Sequence, residues 1–376
     1  MTVPWLEIEE YRDQDNPAGP GYSLYTWQVL FACQVEVLPH QEWVKMRWGL
    51  NASALFEEAL ERQRLFLESQ YGVRSEIGVE PADSRTLAFR FINRPGEGLM
   101  VAILGKIHAR TKENAQESGL SFYNELKSTF PYDYILVPAL SRQDFLKLSG
   151  KDILDEKDDQ ADIVQIKRLE IPIITGRDSP FLQGVWRSGP RSHEQIWRLL
   201  AASSFPLLLN VSLRCTVLYE GERERLLKSA EEISGIQDQK LNEQTLSLLK
   251  QWNKGYTERR LVPWKKFFYL QIHMASTRKL SENPSRIIGT SIALSSNGES
   301  HPGYQVISPR NEEKQAWLKK LGHLDLIFSG SYLPVSRLSE IADLEEVFAV
   351  MRLPYSPPEK GLTDVTYKAA RKLENQ

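Results

Sequence analysis

Cysteine, net charge, long apolar runs and nucleotide-binding glycines are all scarce in this chain, and each scarcity excludes something. Two cysteines occur in 376 residues, Cys33 and Cys215. They lie far apart in strand-like runs and read as small buried hydrophobes in a reducing compartment. Lysine and arginine number 47 against 49 acids, a formal charge of −2. That balance gives no overall drive toward nucleic acid, although a local basic face can sit inside it. No run approaches the roughly 18 apolar residues a membrane span needs. The acidic start MTVPWLEIEEYRDQD is not a signal peptide, so the expected location is the cytoplasm, without membrane contact.

Catalytic signatures are missing too. A phosphate loop needs G-x-x-x-x-G-K-S/T so that backbone N–H groups cradle phosphate and a hydroxyl meets magnesium. LMVAILGKIHA imitates its end with Gly105-Lys106, but Met100 holds the first glycine position and Ile107 follows the lysine. Lys106 therefore reads as a strand residue with its amine in solvent. G-x-G-x-x-G is absent. His193-Glu194 begins like H-E-x-x-H, but Trp197 replaces the second histidine, and the scattered histidines and two cysteines give no zinc signal. His108 and His273 both fall near the ends of apolar strands and read as sheet histidines, in candidate matching positions. No G-x-S-x-G elbow occurs. We expect no catalytic residues, metal or cofactor.

What is present is a 41% hydrophobic, 26% charged chain, the composition of a folded protein long enough for two domains. Residues 1–21 read as an arm. Residues 22–150 give strand, helix, strand, strand, helix, strand: Tyr22–Leu38, a helix from Asn51 to Gly72, Arg85–Ile92, Leu99–Ala109, Thr111–Phe130 and Tyr132–Leu140. That is the split βαβ, or ferredoxin-like, order, in which two helices cover one face of an antiparallel sheet. Residues 151–162, KDILDEKDDQAD, form an acidic linker that cannot bury itself. Residues 163–335 repeat the order with a helical insertion at 220–253, although no residue string is shared. Residues 336–376 form a short helix, a Pro-rich exit and a polar tail. The expected class is α+β: two ferredoxin-like antiparallel-sheet domains, the second with a helical insertion.

Two basic aromatic patches are candidate contact surfaces. One is VWRSGPRSHEQIWR, with Trp186, Arg187, Arg191 and Arg198. The other carries Trp252, Tyr256, Arg259, Arg260, Trp264 and Lys265. Arginine with tryptophan is the composition of a protein-interface hot spot; cations interleaved with rings also suit single-stranded nucleic acid. A third possibility is a divergent metal-dependent nuclease or hydrolase, gathering acids such as Asp133, Asp178 or Asp325 in space.

Several strings resemble the region that precedes the motor in large bacterial HerA-like P-loop ATPases of the DNA-translocating type. They are NELKSTFPYDYILVPALSRQDFLKLSG, then IKRLEIPII followed by PFLQGVWRSGPRSHEQIWRLLAASSFPLLLNVSLRCTVL, and finally ADLEEVFAVMRLPYSPPEKGL. The resemblance spans Leu24–Leu362 and implies a noncatalytic assembly or regulatory module acting by protein–protein contact. It implies a P-loop ATPase partner, in the same polypeptide or as a separate subunit, with homo-oligomer formation and DNA contact as further expectations. The Walker residues of that family belong to a motor that would follow Leu353-Pro354-Tyr355, so none is carried over here.

Overall fold

The computed structural model describes residues 3–10, 27–37, 52–71, 85–154, 160–172, 181–189, 192–235, 253–263, 265–293, 303–328 and 337–354, with single positions 243, 247 and 250. The chain is α+β. Its first half contains β1 (Glu7–Glu10), β2 (Trp27–Val37), α1 (Ala52–Ser69), β3 (Thr86–Arg94), β4 (Gly98–Ala109), α2 (Lys112–Thr129), β5 (Tyr134–Pro138) and α3 (Arg142–Ser149). The second contains β6 (Asp162–Arg168), a small hairpin of β7 (Glu170–Pro172) and β8 (Phe181–Gln183), α4 (Ser192–Ala201), β9 (Leu207–Thr216) and α5 (Glu220–Gly235). A π-helical turn (Asn253–Glu258) then runs into Arg259–Leu261. After it come β10 (Phe267–Ser276), α6 (Glu282–Ile292), β11 (Tyr304–Ile307), α7 (Asn311–Gly322), β12 (Ile341–Asp343) and α8 (Leu344–Val350).

Strand order in the first half is β5-β2-β4-β3, with β1 also on the outer edge of β2; in the second it is β11-β6-β10-β9. The order in space is the same when strands are counted along each half, and every ladder described is antiparallel. The halves are not separate sheets, as the reading of two domains split by a linker would have them. β3 pairs antiparallel with β9, setting Phe89 opposite Val211 and Arg90 opposite Asn210, so ten strands form one sheet. The linker is also less detached than its composition suggests. Ile153 and Leu154 are buried, and Asp152 binds Arg94 at 2.6 and 2.9 Å; residues 155–159 lie outside the described residues.

Period-2 alternation sends one set of strand residues to each face. On one face Val29, Phe31, Phe89, Ile103, Val211, Leu213, Phe268 and Ile272 meet Phe66 and Leu67 of α1, Phe122 and Leu126 of α2, Ile196 and Trp197 of α4, and Ile288 and Ile292 of α6. Gly105 lies on this face because a Cβ there would sit 2.2 Å from the Phe31 ring. Cys33 is buried in this layer, and burial pushes its thiol up to about 12. Cys215 is only half-buried, its thiol donating to the Gln70 carbonyl at 3.1 Å.

The opposite face is covered as well, by α3 and α7, two helices the sequence reading did not assign. α3 is bounded by a Ser141/Asp144 capping box and by Gly150 in the left-handed region, φ 66°, a combination that satisfies orphan backbone groups at both ends. The tails of the two helices cross to the other half. After α3, Ile153 and Leu154 pack with Ile163, Leu208, Trp317 and Leu318. After α7, Leu324 packs among Leu30, Ala32, Phe145 and Leu148. Leu324 is itself left-handed, φ 57°, a conformation costing a non-glycine residue about 1–2 kcal/mol; its buried side chain holds it there.

The two tails meet at Arg90. Its guanidinium is wholly buried, donating to the Ser149 carbonyl at the end of α3, the Leu321 carbonyl near the end of α7, and Asn210 Oδ1 at 2.9 Å. Burial lowers its pKa to about 9. Two helix C-termini carry roughly half a negative charge each, so they supply the compensation a carboxylate would otherwise give.

Candidate functional site

Trp186 of the first basic aromatic patch and Tyr256, Arg259, Arg260 and Lys265 of the second converge on one place, against the chain's own C-terminal segment. β12 pairs with the first residues of β10, continuing the line of β6 along the same edge. The gap between β6 and β12 is bridged by Arg168, which donates to the Ile341 carbonyl at 2.9 Å. α8 then starts with a capping box: Asp343 Oδ1 accepts from the Glu346 N–H, and Glu346 Oε2 from the Asp343 N–H. The D-x-x-E spacing alone specifies this helix start.

Glu346 lies between two arginines. Arg168 approaches one carboxylate oxygen at 2.7 Å and Arg260 the other at 2.5 Å, and all three side chains are 0% exposed. Tyr256, placed by the π-helical turn, lies 3.7 Å beneath the Arg260 guanidinium and 5.3 Å from that of Arg168. Trp186 flanks Arg168 at 5.8 Å. Asp343 binds Arg259 through both oxygens and Lys265 at 2.9 Å. Burial opposes ionisation of Asp343, but the bonds from Arg259 and the charges of Arg260 and Lys265 outweigh it and hold the carboxyl far below its usual range.

The rest of this strap touches both halves. His193 Nε2 meets the Val350 carbonyl at 3.1 Å, and Arg352 donates to the Gly189 carbonyl at 2.9 Å. From the first half, Gln63 accepts from the Leu353 N–H at 2.9 Å, and the Tyr134 hydroxyl donates to the Pro354 carbonyl at 3.1 Å. Burial and the Arg352 charge lower His193 to about 3, so it is neutral.

The expected contact surface therefore divides. Trp186, Tyr256 and Arg260 are interior residues and present nothing to an external partner. Arg259 and Lys265 are half-buried and engaged by Asp343; Arg187 and Arg198 are exposed. Arg191, Trp252 and Trp264 lie outside the described residues. Sequence reading missed Arg168, Asp343 and Glu346, although the capping-box spacing was a usable signal for the last two.

A second polar layer lies on the α7 side of the second half. Gln165 and Lys167 of β6, Ser212 of β9, and Gln271 and His273 of β10 are all buried. Lys167 pairs with Glu340 at 3.2 Å, and Gln271 holds the Ile327 backbone through both amide atoms at 2.9 Å. Burial raises Glu340. His273 stands opposite Asn210 and Gln165, edge-on to Trp317, with neither ring nitrogen hydrogen-bonded; burial and the Arg90 charge lower it to about 3. His108 pairs across to Gln28 of β2 and lies beyond the end of the β3 ladder. The two histidines do not occupy matching places.

Lys106 is buried rather than solvated. Its ammonium is held by Asp325, and burial lowers its pKa. Asp133 is bound by Arg62 of α1 at 2.7 and 2.8 Å. The helix α1 covers the face opposite the one Lys106 shares with Asp325, so the structure does not bring Asp133 and Asp325 together; Asp178 lies outside the described residues. Among the described residues no group of three or more His, Cys, Asp or Glu side chains is placed to hold a metal ion, and no helix is long and apolar enough to cross a membrane. A scan against protein-family models finds no match, and a search of curated proteins finds none.

Proposed function

We propose that the chain is a noncatalytic assembly or regulatory module of a HerA-like DNA-processing ATPase system, acting by protein–protein contact. The observation that carries this reading is the strap. Residues 341–354 are held at their root by the buried Arg168–Glu346–Arg260 cluster and farther along by both halves of the sheet. A segment fixed in this way transmits the position of the platform to whatever its far end adjoins. We read each half as a ferredoxin-like split βαβ unit; the repeated strand order and the pair of helices on one face support that reading. The ATPase stands either in the same polypeptide or in a separate subunit, and the setting is the cytoplasm.

The test is light scattering of the purified chain mixed with a purified HerA-like ATPase core. A complex that weakens at least tenfold with Glu346→Gln, while the sheet stays folded, is the expected result. Absence of a complex at concentrations on the order of 100 µM, with ATP hydrolysis unchanged, would overturn the proposal.

A further inference from the structure

Six of the large apolar side chains left exposed crowd one edge of the first half: Val3, Trp5, Tyr132, Ile135, Val137 and Leu140. The Trp5 N–H donates to the Ala139 carbonyl at 2.7 Å, which lays the N-terminal stretch against the end of β5. Among the described residues β5 has one strand partner, β2. Register sets Ile135 opposite Glu36 and Val137 opposite Gln34, so both point to the α3 side of the sheet, yet each remains 38% exposed. The second half treats the equivalent strand differently. There β11 turns Gln305 and Ile307 to that side, and both are half-buried. The topology itself therefore does not require an apolar, open edge.

We propose that this edge docks a second copy of the chain, strip against strip across a twofold axis, with β5 antiparallel to its mate. Three observations select a second copy. Two opposite-sign pairs flank the strip, Arg62–Asp133 at 2.7 Å and Arg142–Glu7 at 3.7 Å, and Asp144 beside Leu140 is held by the Ser141 hydroxyl and backbone N–H groups. Glu36 is the one further charge in register with β5, so two copies meet little like-charge repulsion. An antiparallel edge is its own complement under a twofold, the requirement of an isologous contact. The chain already joins equivalent strands of its two halves in this manner, β3 on β9. β5 carries one edge guard, Pro138, but no lysine, no glutamate and no bulge between Tyr134 and Val137. Pro138 ends the donor row, so the main-chain ladder is short and side-chain burial drives the contact. A dissociation constant on the order of micromolar follows for so small a contact.

Sedimentation equilibrium of the full chain over a wide micromolar range tests this. The wild type should rise toward twice the single-chain mass. Ile135→Lys with Val137→Lys, both at exposed positions, should hold the single-chain mass with at least tenfold weaker association and an unchanged melting curve. Leu65→Lys, an exposed apolar site on α1, should behave as wild type. Hydrogen exchange reads the same contact without a variant: the Leu136 amide, which the β2 register turns outward while Ile135 and Val137 bond to β2, should gain protection as concentration rises. A wild type that stays single-chain throughout overturns the proposal. So does a dimer indifferent to the lysine pair, or one whose Leu136 amide gains no protection.

Discussion

On the α3/α7 side of the sheet the first half buries Leu30, Ala32, Ala88, Ala102 and Leu104, with Gln28, Thr86, Arg90 and Lys106 as its polar members. There the second half buries Gln165, Lys167, Asn210, Ser212, Gln271 and His273, with Ile163, Leu208 and Ala275 as its apolar members. The strand order is the same in both halves, so topology does not demand polar side chains here. What differs is the load. Glu340, which pairs with Lys167 and Gln271, leads directly into β12 and α8. The half with the larger polar share on this face is thus the half that roots the strap. Apolar packing is non-directional and tolerates sliding, whereas a buried carboxylate between two guanidiniums has one acceptable geometry. We read the polar cluster as fixing where the strap docks, a specificity role that buried ionic groups fill in some proteins.

The largest expected effect that separates the halves lies at Glu346. Glu346→Ala leaves two buried guanidiniums without their shared carboxylate, and stability should fall by about 3–5 kcal/mol. Asp133→Asn weakens the bidentate Arg62 pair of the first half, which keeps some contact with solvent on the Arg62 side, and should cost about 1–3 kcal/mol. Urea unfolding of the two variants measures the ratio; equal losses would erase the distinction.

Acid separates them next. His193 and His273 are neutral in the fold with pKa about 3, against about 6.5 unfolded. The unfolded chain takes up their protons first. Stability is therefore full above about pH 6.5 and declines as pH falls from there to 3, by about 1.4 kcal/mol per unit for each histidine. In the first half, the His323 hydrogen bond holds Glu9 at about 2, against a usual 4.5. Its contribution is full above pH 4.5 and is lost between 4.5 and 2. Unfolding free energies across pH 7 to 4 should already fall in the wild type, and His273→Leu should flatten the slope. At neutral pH the same variant should be nearly neutral or stabilising, because neither ring nitrogen has a partner to lose. A slope that His273→Leu leaves unchanged would contradict this assignment.

Smaller effects test the crossing of the tails and the packing of the core. Gly105→Ala drives a methyl into the Phe31 ring and should cost about 1–3 kcal/mol, part of it regained with Phe31→Leu. Leu324→Gly relieves roughly 1 kcal/mol of left-handed strain but gives up about 2 kcal/mol of buried apolar side chain. A net loss on the order of 1 kcal/mol is expected by thermal unfolding; a gain would mean that the α7 tail contributes little to the first half.

Much of the helix-covered layer was legible. Helical spacing from Leu55 to Leu67 and alternation from Arg85 to Ile92 mark α1 and β3 within a few residues. The other layer was not. In RTLAFRFI, Arg90 looks like the outward member of a half-buried strand, and it becomes interior only because α3 and α7 close over it. Those helices are short, and SRQDFLKLSG runs on from a strand. Its Ser141, Asp144 and Gly150 nevertheless fall at the positions that start and stop a helix. The pairing of β3 with β9 had no local signal, since register between distant strands is set by tertiary burial. The site was half legible. Composition marked Trp186 and the Tyr256–Lys265 stretch as contact-forming, but composition alone does not distinguish an external partner from a distant segment of the same chain.

The central claim is that the strap and the sheet form one unit locked by the buried charges. Native-state hydrogen exchange tests it most directly, because local opening and global unfolding give different free energies. The account predicts that the Val347 and Leu353 amides exchange only at the free energy of global unfolding, together with those of β9 and β10. Exchange of these strap amides through a low-energy opening, while β9 and β10 stay protected, would contradict it.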